Sequence, residues 1–266
     1  MADTYRQHVP RPPGSGQAFP PPWQRAVGPA PQVPLGRVRA ALARPLPDQP
    51  VRQRVEAAVL LVCYPATPAP STAPAPGSTA PDEGEAVAVL IRRAWHLGRD
   101  PGHVALPGGL VEPGEAPLAA ALREAEEEVG LDRSAVELLG PLPTVARPRR
   151  NRAVAPFVGL LPRRPVLSPS PDEVEAVLEV PLAELLAEGV AWEERWPLPG
   201  APGGRARERV GARPTRSVRF FACERLGDDL LWGVTARILW DLLELVAATS
   251  PATSPGGRLV PPGRLD

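Results

Sequence analysis

Residues 109–131 read GLVEPGEAPLAAALREAEEEVGL. Pro107-Gly108-Gly109 just ahead of this stretch and Pro113-Gly114 within it are turn signals. A helix is expected from about Ala116 to Val129, with Gly130 as its stop. On the helical period Leu118, Leu122, Ala125 and Val129 form one narrow stripe that can pack on a sheet, and Glu124, Glu127 and Glu128 fall together on the other side. Carboxylates at such spacings repel one another unless something positive sits between them. Hard divalent cations prefer oxygen ligands of this kind. Arg123 flanks the acidic side, within reach of Glu115 in the preceding loop. An isolated E-x-x-E-E reads most simply as a solvated helix face. That reading leaves unexplained why Gly109, Glu115 and Arg123 stand in register with it.

The register itself is distinctive. Gly109, five residues, Glu115, seven residues, Arg123-Glu124-Ala125, one residue, Glu127-Glu128, one residue and Gly130-Leu131 fill every fixed position of G-x5-E-x7-R-E-U-x-E-E-x-G-U. Ala125 is small for its aliphatic slot. On these residues the chain resembles the Nudix hydrolase family. The resemblance implies an α/β fold, a Nudix-type α/β/α sandwich with a mixed sheet in a single domain. It implies metal-dependent hydrolysis of a nucleoside diphosphate linked to another group. Glu124, Glu127 and Glu128 would then bind magnesium or manganese, with the Gly109 carbonyl as a further candidate ligand. Glu127 or Glu128 would serve as the base, and Glu115 and Arg123 would hold the loop. In this family a glutamate beyond the box can add a ligand or base, and Asp172, Glu173 and Glu175 are the candidates here.

Other segments bear on the linked group. Residues 92–109, RRAWHLGRDPGHVALPGG, are similar to the RSxxLRxHxGxVxFPGG motif of coenzyme A diphosphatases. Arg93, Leu97, Gly102, Val104, Pro107, Gly108 and Gly109 match it, whereas Ala94, Gly98, Asp100 and Leu106 stand in place of Ser, Arg, His and Phe. Residues 169–186, PSPDEVEAVLEVPLAELL, and 232–243, WGVTARILWDLL, are similar to two further segments of that group. The implied substrate is coenzyme A or an acyl-coenzyme A, cleaved to adenosine 3′,5′-bisphosphate and 4′-phosphopantetheine or its acyl form. Arg93, Gly108, Gly109, Arg149 and Arg150 are the candidate substrate contacts. The last two belong to a run, Arg147, Arg149, Arg150 and Arg152, that reads equally well as a solvated loop or as a phosphate-binding fork. Alternatives stay open: NADH, ADP-ribose or a dinucleoside polyphosphate as substrate, or a catalytically silent domain used as a ligand sensor. Trp232 and Phe220 read as core aromatics, and His96 and His103 as loop residues.

Composition narrows the classes. Among 266 residues there are 39 prolines; all 30 basic residues are arginine, and Asn occurs once. This is the pattern of a GC-rich coding sequence, so enrichment in Pro, Arg and Ala carries little functional weight. PxxP-like spacing in the leader is explained the same way. A net charge of zero argues against a general nucleic-acid or membrane-surface role. The expected partner is a small nucleotide substrate, with no nucleic acid and no membrane; a homodimer is left open. Cys63 and Cys223 show no metal-ligand spacing and read as core residues in a reduced, cytoplasmic setting. The first residues are Pro-rich and polar with no hydrophobic signal core, and no apolar run approaches a membrane span.

The expected organisation is a Pro/Arg-rich flexible leader over 1–50, a catalytic domain over 51–248 and a flexible tail over 249–266. A disordered Pro/Ala-rich insertion (64–85) and a Gly/Arg-rich loop (196–216) would interrupt the domain. Within the leader, Leu35 to Leu46 can form a short helix. Strands are expected at 55–63, 86–92, 136–140, 153–161, 174–180 and 217–223, and further helices at 182–187 and 233–247.

Overall fold

A computed structural model describes residues 9–13, 15, 18–25, 32–44, 53–66, 84–147, 152–198 and 215–249. Its centre is the apolar run anticipated at 55–63. Strand β2 (Arg54–Pro65) pairs in parallel with β8 (Arg152–Leu160), with register Val59↔Pro156 and Leu61↔Val158. A strand covered on both faces needs apolar side chains at successive positions, which is what Leu60-Leu61-Val62-Cys63 supplies. β3 (Ala86–Arg93) pairs antiparallel with β2 only over Cys63↔Ala88 to Pro65↔Ala86, and the two strands then splay apart. Two short strands fill the wedge: β4 (Val104–Ala105) against β3 and β5 (Gly108–Leu110) against β2. On its other edge β3 carries β9 (Val174–Pro181), while β6 (Glu137–Pro141) and β7 (Val145–Arg147) both pair with β8. The sheet is therefore mixed, as expected.

Alternation along β2 and β3 divides the core in two. Leu61, Cys63, Ala88 and Leu90 face α1 (Leu35–Leu42), α3 (Leu182–Leu186) and α4 (Gly233–Ala248), where Val38, Leu185, Leu239, Leu242 and Val246 are buried. Leu60, Val62, Val89 and Ile91 face α2 (Pro117–Val129) through Ala120, Ala121, Ala125 and Val129. Alanines on this face let the helix lie close to the sheet. Ala125, small for its slot in the motif, is fully buried there. The packed side of α2 is turned from the expected stripe: Leu118 and Leu122 are only half-buried, and Glu128 joins the buried side.

Two regions differ from the sequence reading. The first is the leader, expected to be mostly flexible: among its described residues several pack on the domain, while 1–8, 14, 16–17, 26–31 and 45–50 lie outside the described residues. β1 (Ala18–Phe19) pairs with β10 (Ala191–Pro197), Trp23 lies against Trp240 with ring centroids 4.7 Å apart, and Val33, Leu35, Val38 and Ala41 are buried. A Pro-rich chain shows no periodicity, yet single apolar side chains along it can each fill a site on the helices beneath. The helix expected from Leu35 to Leu46 ends at Leu42. The second is a four-stranded antiparallel sheet of β1, β10, β11 (Thr215–Phe221) and β12 (Leu231–Trp232), in which only β11 was expected. Most of the two predicted insertions (residues 67–83 and 199–214), residues 250–266, and Arg149 and Arg150 lie outside the described residues. Among the described residues no helix is long and apolar enough to cross a membrane.

Candidate active site

The site is built at the splayed end of β2 and β3. Pro107 leads the chain back to β2, where its carbonyl accepts Leu60 N–H at 2.8 Å. Gly108 adopts φ +150°, and a Cβ there would lie 2.4 Å from the Ala58 carbonyl oxygen. The backbone can pass this close only without a side chain. Gly109 faces the other way, where a Cβ would lie 2.3 Å from Cδ of Glu124. The Pro-Gly-Gly turn thus serves two purposes: one glycine passes the sheet and the other admits a carboxylate.

Helix α2 begins at Pro117 and ends at Gly130, whose φ of +67° lets its N–H reach the Glu126 carbonyl at 2.9 Å. Arg123 reaches four partners from the first half of the motif and from its own helix. Its Nε donates to Glu115 at 3.0 Å, one Nη to Glu124 and Glu127 at 3.0 Å each, and the other Nη to the Leu110 carbonyl at 3.2 Å. Hydrogen bonds from Arg123 hold the Glu115 carboxyl below its usual range, with help from the Glu112 backbone N–H. This geometry gives Arg123 and Glu115 a clamping position around the loop.

Glu124 and Glu128 converge with Glu173, one carboxylate oxygen from each lying within 4.8 Å of the others. Glu128 is 1% exposed; it accepts the Gly108 N–H at 2.8 Å and lies 3.7 Å from Arg93 at the end of β3. Burial pushes its carboxyl up to about 8, with Glu124 and Glu173 adding to the rise against the opposing pull of Gly108 and Arg93. Burial also raises Glu124, more than Arg123 lowers it. Glu127 does not join this cluster. Its carboxylate is 58% exposed and points to Arg123. The three helix glutamates are therefore not on one open face: Glu128 sits on the seam of Ala121 and Ala125, seven and three residues behind it, and is aimed into the wedge between β2 and β3.

Of the three candidates beyond the motif, Glu173 alone enters the cluster. The loop after β8 is tied to the end of α2, where Ser168 N–H donates to the Val129 carbonyl at 2.8 Å and Ser170 N–H to the Glu128 carbonyl at 2.9 Å. Its far side is tied to β3, where Ala94 N–H donates to the Glu173 carbonyl at 2.9 Å. Asp172 and Glu175 are exposed. The donor set is all oxygen. Five carboxylates (Glu115, Glu124, Glu127, Glu128 and Glu173) share the neighbourhood of two guanidiniums, Arg93 and Arg123. Glu128 is buried, Glu115 and Glu124 are half-buried, and Glu127 and Glu173 are exposed; such an excess of negative charge at one corner fits a hard divalent cation.

The remaining candidates fall as follows. Arg152 pairs with Glu56 of β2 at 3.0 Å. His96 Nε2 lies 3.0 Å from the Asp172 carbonyl oxygen, and His103 packs against Trp232 at a tilt of 51°, with centroids 5.4 Å apart. Burial lowers the His103 pKa. Phe220 is fully buried and stacked on Trp192. Cys63 is buried and Cys223 half-buried, both as free thiols.

Residues 77–199 match the NUDIX domain model. The Nudix hydrolase NudL of Escherichia coli (strain K12 / DH10B), itself described as uncharacterized, is 38% identical over 147 residues, covering 47% of this chain and 76% of that protein. NudL of Shigella boydii serotype 18 aligns equally well. Among solved structures, a Nudix hydrolase from M. smegmatis, RenU, is similar over 50% of this chain and 73% of its own, with TM-score 0.39 and 23% identity. With an unbroken motif, a mixed sheet between helices and a relative matched over three-quarters of its length, the chain belongs to the Nudix hydrolase family of pyrophosphohydrolases, which act on small nucleotide substrates.

Proposed function

We propose that this enzyme hydrolyses the diphosphate of coenzyme A or an acyl-coenzyme A, releasing adenosine 3′,5′-bisphosphate and 4′-phosphopantetheine or its acyl form. One observation carries the choice of substrate. The three segments similar to coenzyme A diphosphatases are separate in sequence, and the first, which carries Arg93 and Gly108 of the carboxylate site, touches both of the others. The first contacts the second through His96–Asp172 and Ala94–Glu173, and the third through His103–Trp232. Two of the four departures from the first segment, Ala94 and Leu106, are buried core positions at 1% and 2% exposure, so they alter packing rather than a substrate-facing surface.

In this reading Glu124, Glu128 and Glu173 hold magnesium or manganese, with Glu127 one helical step away. The bound ion would supply neutralisation of the diphosphate and acidification of water. Arg93, beside Glu128, balances negative charge at the same corner and can meet a substrate phosphate. Arg123 and Glu115 keep the loop and the helix in register. Proton removal from the attacking water falls to a carboxylate of this group.

An end-point hydrolysis screen tests the proposal. Purified protein with magnesium or manganese would be given coenzyme A, acetyl-coenzyme A, NADH, ADP-ribose and diadenosine polyphosphates. Adenosine 3′,5′-bisphosphate from the coenzyme A substrates is the expected result. Preferential cleavage of another substrate would overturn the coenzyme A assignment and leave the hydrolytic site standing.

A further inference from the structure

Between Arg93 and His103 the chain makes a tight loop, closed by Gly102 N–H to the Arg93 carbonyl at 3.1 Å and Arg93 N–H to the His103 carbonyl at 3.0 Å. Trp95 in this loop is 46% exposed, and no ring or cation is placed over it among the described residues. Its other side is occupied. A Cβ on Gly102 would lie 2.2, 2.3 and 2.6 Å from Cζ3, Cη2 and Cε3 of the indole. An atom meeting a ring at its edge is much nearer one carbon than the next, so these similar distances put Gly102 beneath the ring face. Gly102 is buried there with φ +67°, a position that suits glycine. One face of the indole thus rests on backbone, while nearly half of the residue's surface stays exposed.

We propose that Trp95 is a stacking platform for the planar base of the substrate and so a residue that sets affinity for base-bearing substrates; this rests on the nucleoside diphosphate reading of the neighbouring carboxylate site. Position supports it. Trp95 is two residues from Arg93, which lies 3.7 Å from Glu128, and next to Ala94, which holds the Glu173 backbone. Two peptide steps span at most about 7.6 Å between Cα atoms, within the reach of a nucleoside whose diphosphate lies at the cluster. A flat ring already seated on backbone loses little side-chain freedom when a base covers it. Stacking of this sort tolerates different bases, because each has a π-face.

The test compares wild type with Trp95→Leu, which keeps an apolar cover over Gly102, and Trp95→Phe, which keeps a ring. Binding of ADP and of inorganic pyrophosphate in the presence of magnesium is measured by calorimetry, alongside KM and kcat for whichever substrate is cleaved. ADP should bind Trp95→Leu at least about tenfold more weakly, Trp95→Phe should recover most of the loss, and pyrophosphate affinity should not change. KM should rise more than kcat falls. ADP binding equally to Trp95→Leu and wild type, or to neither, overturns the platform. Weaker ADP binding by Trp95→Leu in a protein that cleaves nothing supports the platform and overturns the hydrolytic reading.

Discussion

Gly108 donates its backbone N–H to Glu128 across 2.8 Å, joining the turn that precedes α2 to a carboxylate near that helix's far end. The bond fixes a buried acid whose ionised form is disfavoured until positive charge arrives. In the metal-free protein the folded chain therefore holds a proton on Glu128 more tightly than the unfolded chain does.

Stability should follow that linkage. The carboxyl rises from 4.5 to about 8, so its contribution is fully present below 4.5 and is lost as pH increases through 8. Subtracting the melting curve of Glu128→Gln from that of wild type isolates the effect. The wild-type Tm should fall relative to the variant across this window, on the order of several degrees, and magnesium should restore it only in wild type. Turnover of the variant should drop on the order of a hundredfold or more. A difference curve that is flat with pH would remove Glu128 from its buried, proton-holding role.

Glu173 and Glu175 can be separated by substitution. Glu173→Gln should weaken magnesium-dependent activity on the order of ten- to a hundredfold, within the range seen when support of a metal site is lost. Glu175→Gln, on an exposed position of β9, should stay near wild type. The opposite ranking in a magnesium titration of initial rates would transfer the role to Glu175.

The adjacent glycines should fail differently. In Gly109→Ala the new Cβ displaces the end of a flexible side chain, Glu124, so the fold should survive with turnover reduced at least about tenfold. In Gly108→Ala the Cβ meets backbone at 2.4 Å with φ at +150°, and stability should fall by roughly 1–3 kcal/mol or more. Urea melts and rates measured on the same samples would show whether the two effects separate; equal destabilisation would contradict the assignment.

Arg11 reaches Glu194 from the N-terminal segment, with Nε and one Nη 3.1 Å from its carboxylate oxygens, and lies 5.3 Å from the Phe220 ring. Glu194 is buried and also accepts the indole N–H groups of Trp196 at 2.8 Å and Trp192 at 3.2 Å. Burial would raise its carboxyl, but these donors outweigh burial and hold it below the usual range. Arg11→Ala should cost roughly 1–3 kcal/mol, read from urea unfolding. An unchanged midpoint would show that the N-terminal contact adds nothing to the second sheet.

The site was legible where chemistry and spacing coincide. Turn signals and Gly130 bounded α2 to within a residue at its start, and the Arg123–Glu115 pair was predictable because an arginine and a glutamate stood on facing sides of one loop. Glu128 was assigned to the wrong side because a helical wheel places glutamates outward by polarity, although its spacing from Ala121 and Ala125 puts it on their seam. Glu173 could be narrowed only to three neighbouring acids, since a loop carboxylate has no period. Strand β10 was hidden by Glu194, whose charge interrupts the apolar face of Trp192 and Trp196 that it in fact completes. β4 and β5, two and three residues long, are too short for any pattern.

The two serine amides that tie the loop after β8 to the last turn of α2 also make the carboxylate cluster a product of tertiary structure. Glu124 and Glu128 share a helix, but Glu173 is held beside them by the docking of β9 along β3 and by the Ser168 and Ser170 hydrogen bonds. A partly folded chain would carry the whole motif and still lack the third carboxylate. The cluster is completed only by the fold, so metal affinity would report on tertiary structure that the motif alone does not carry.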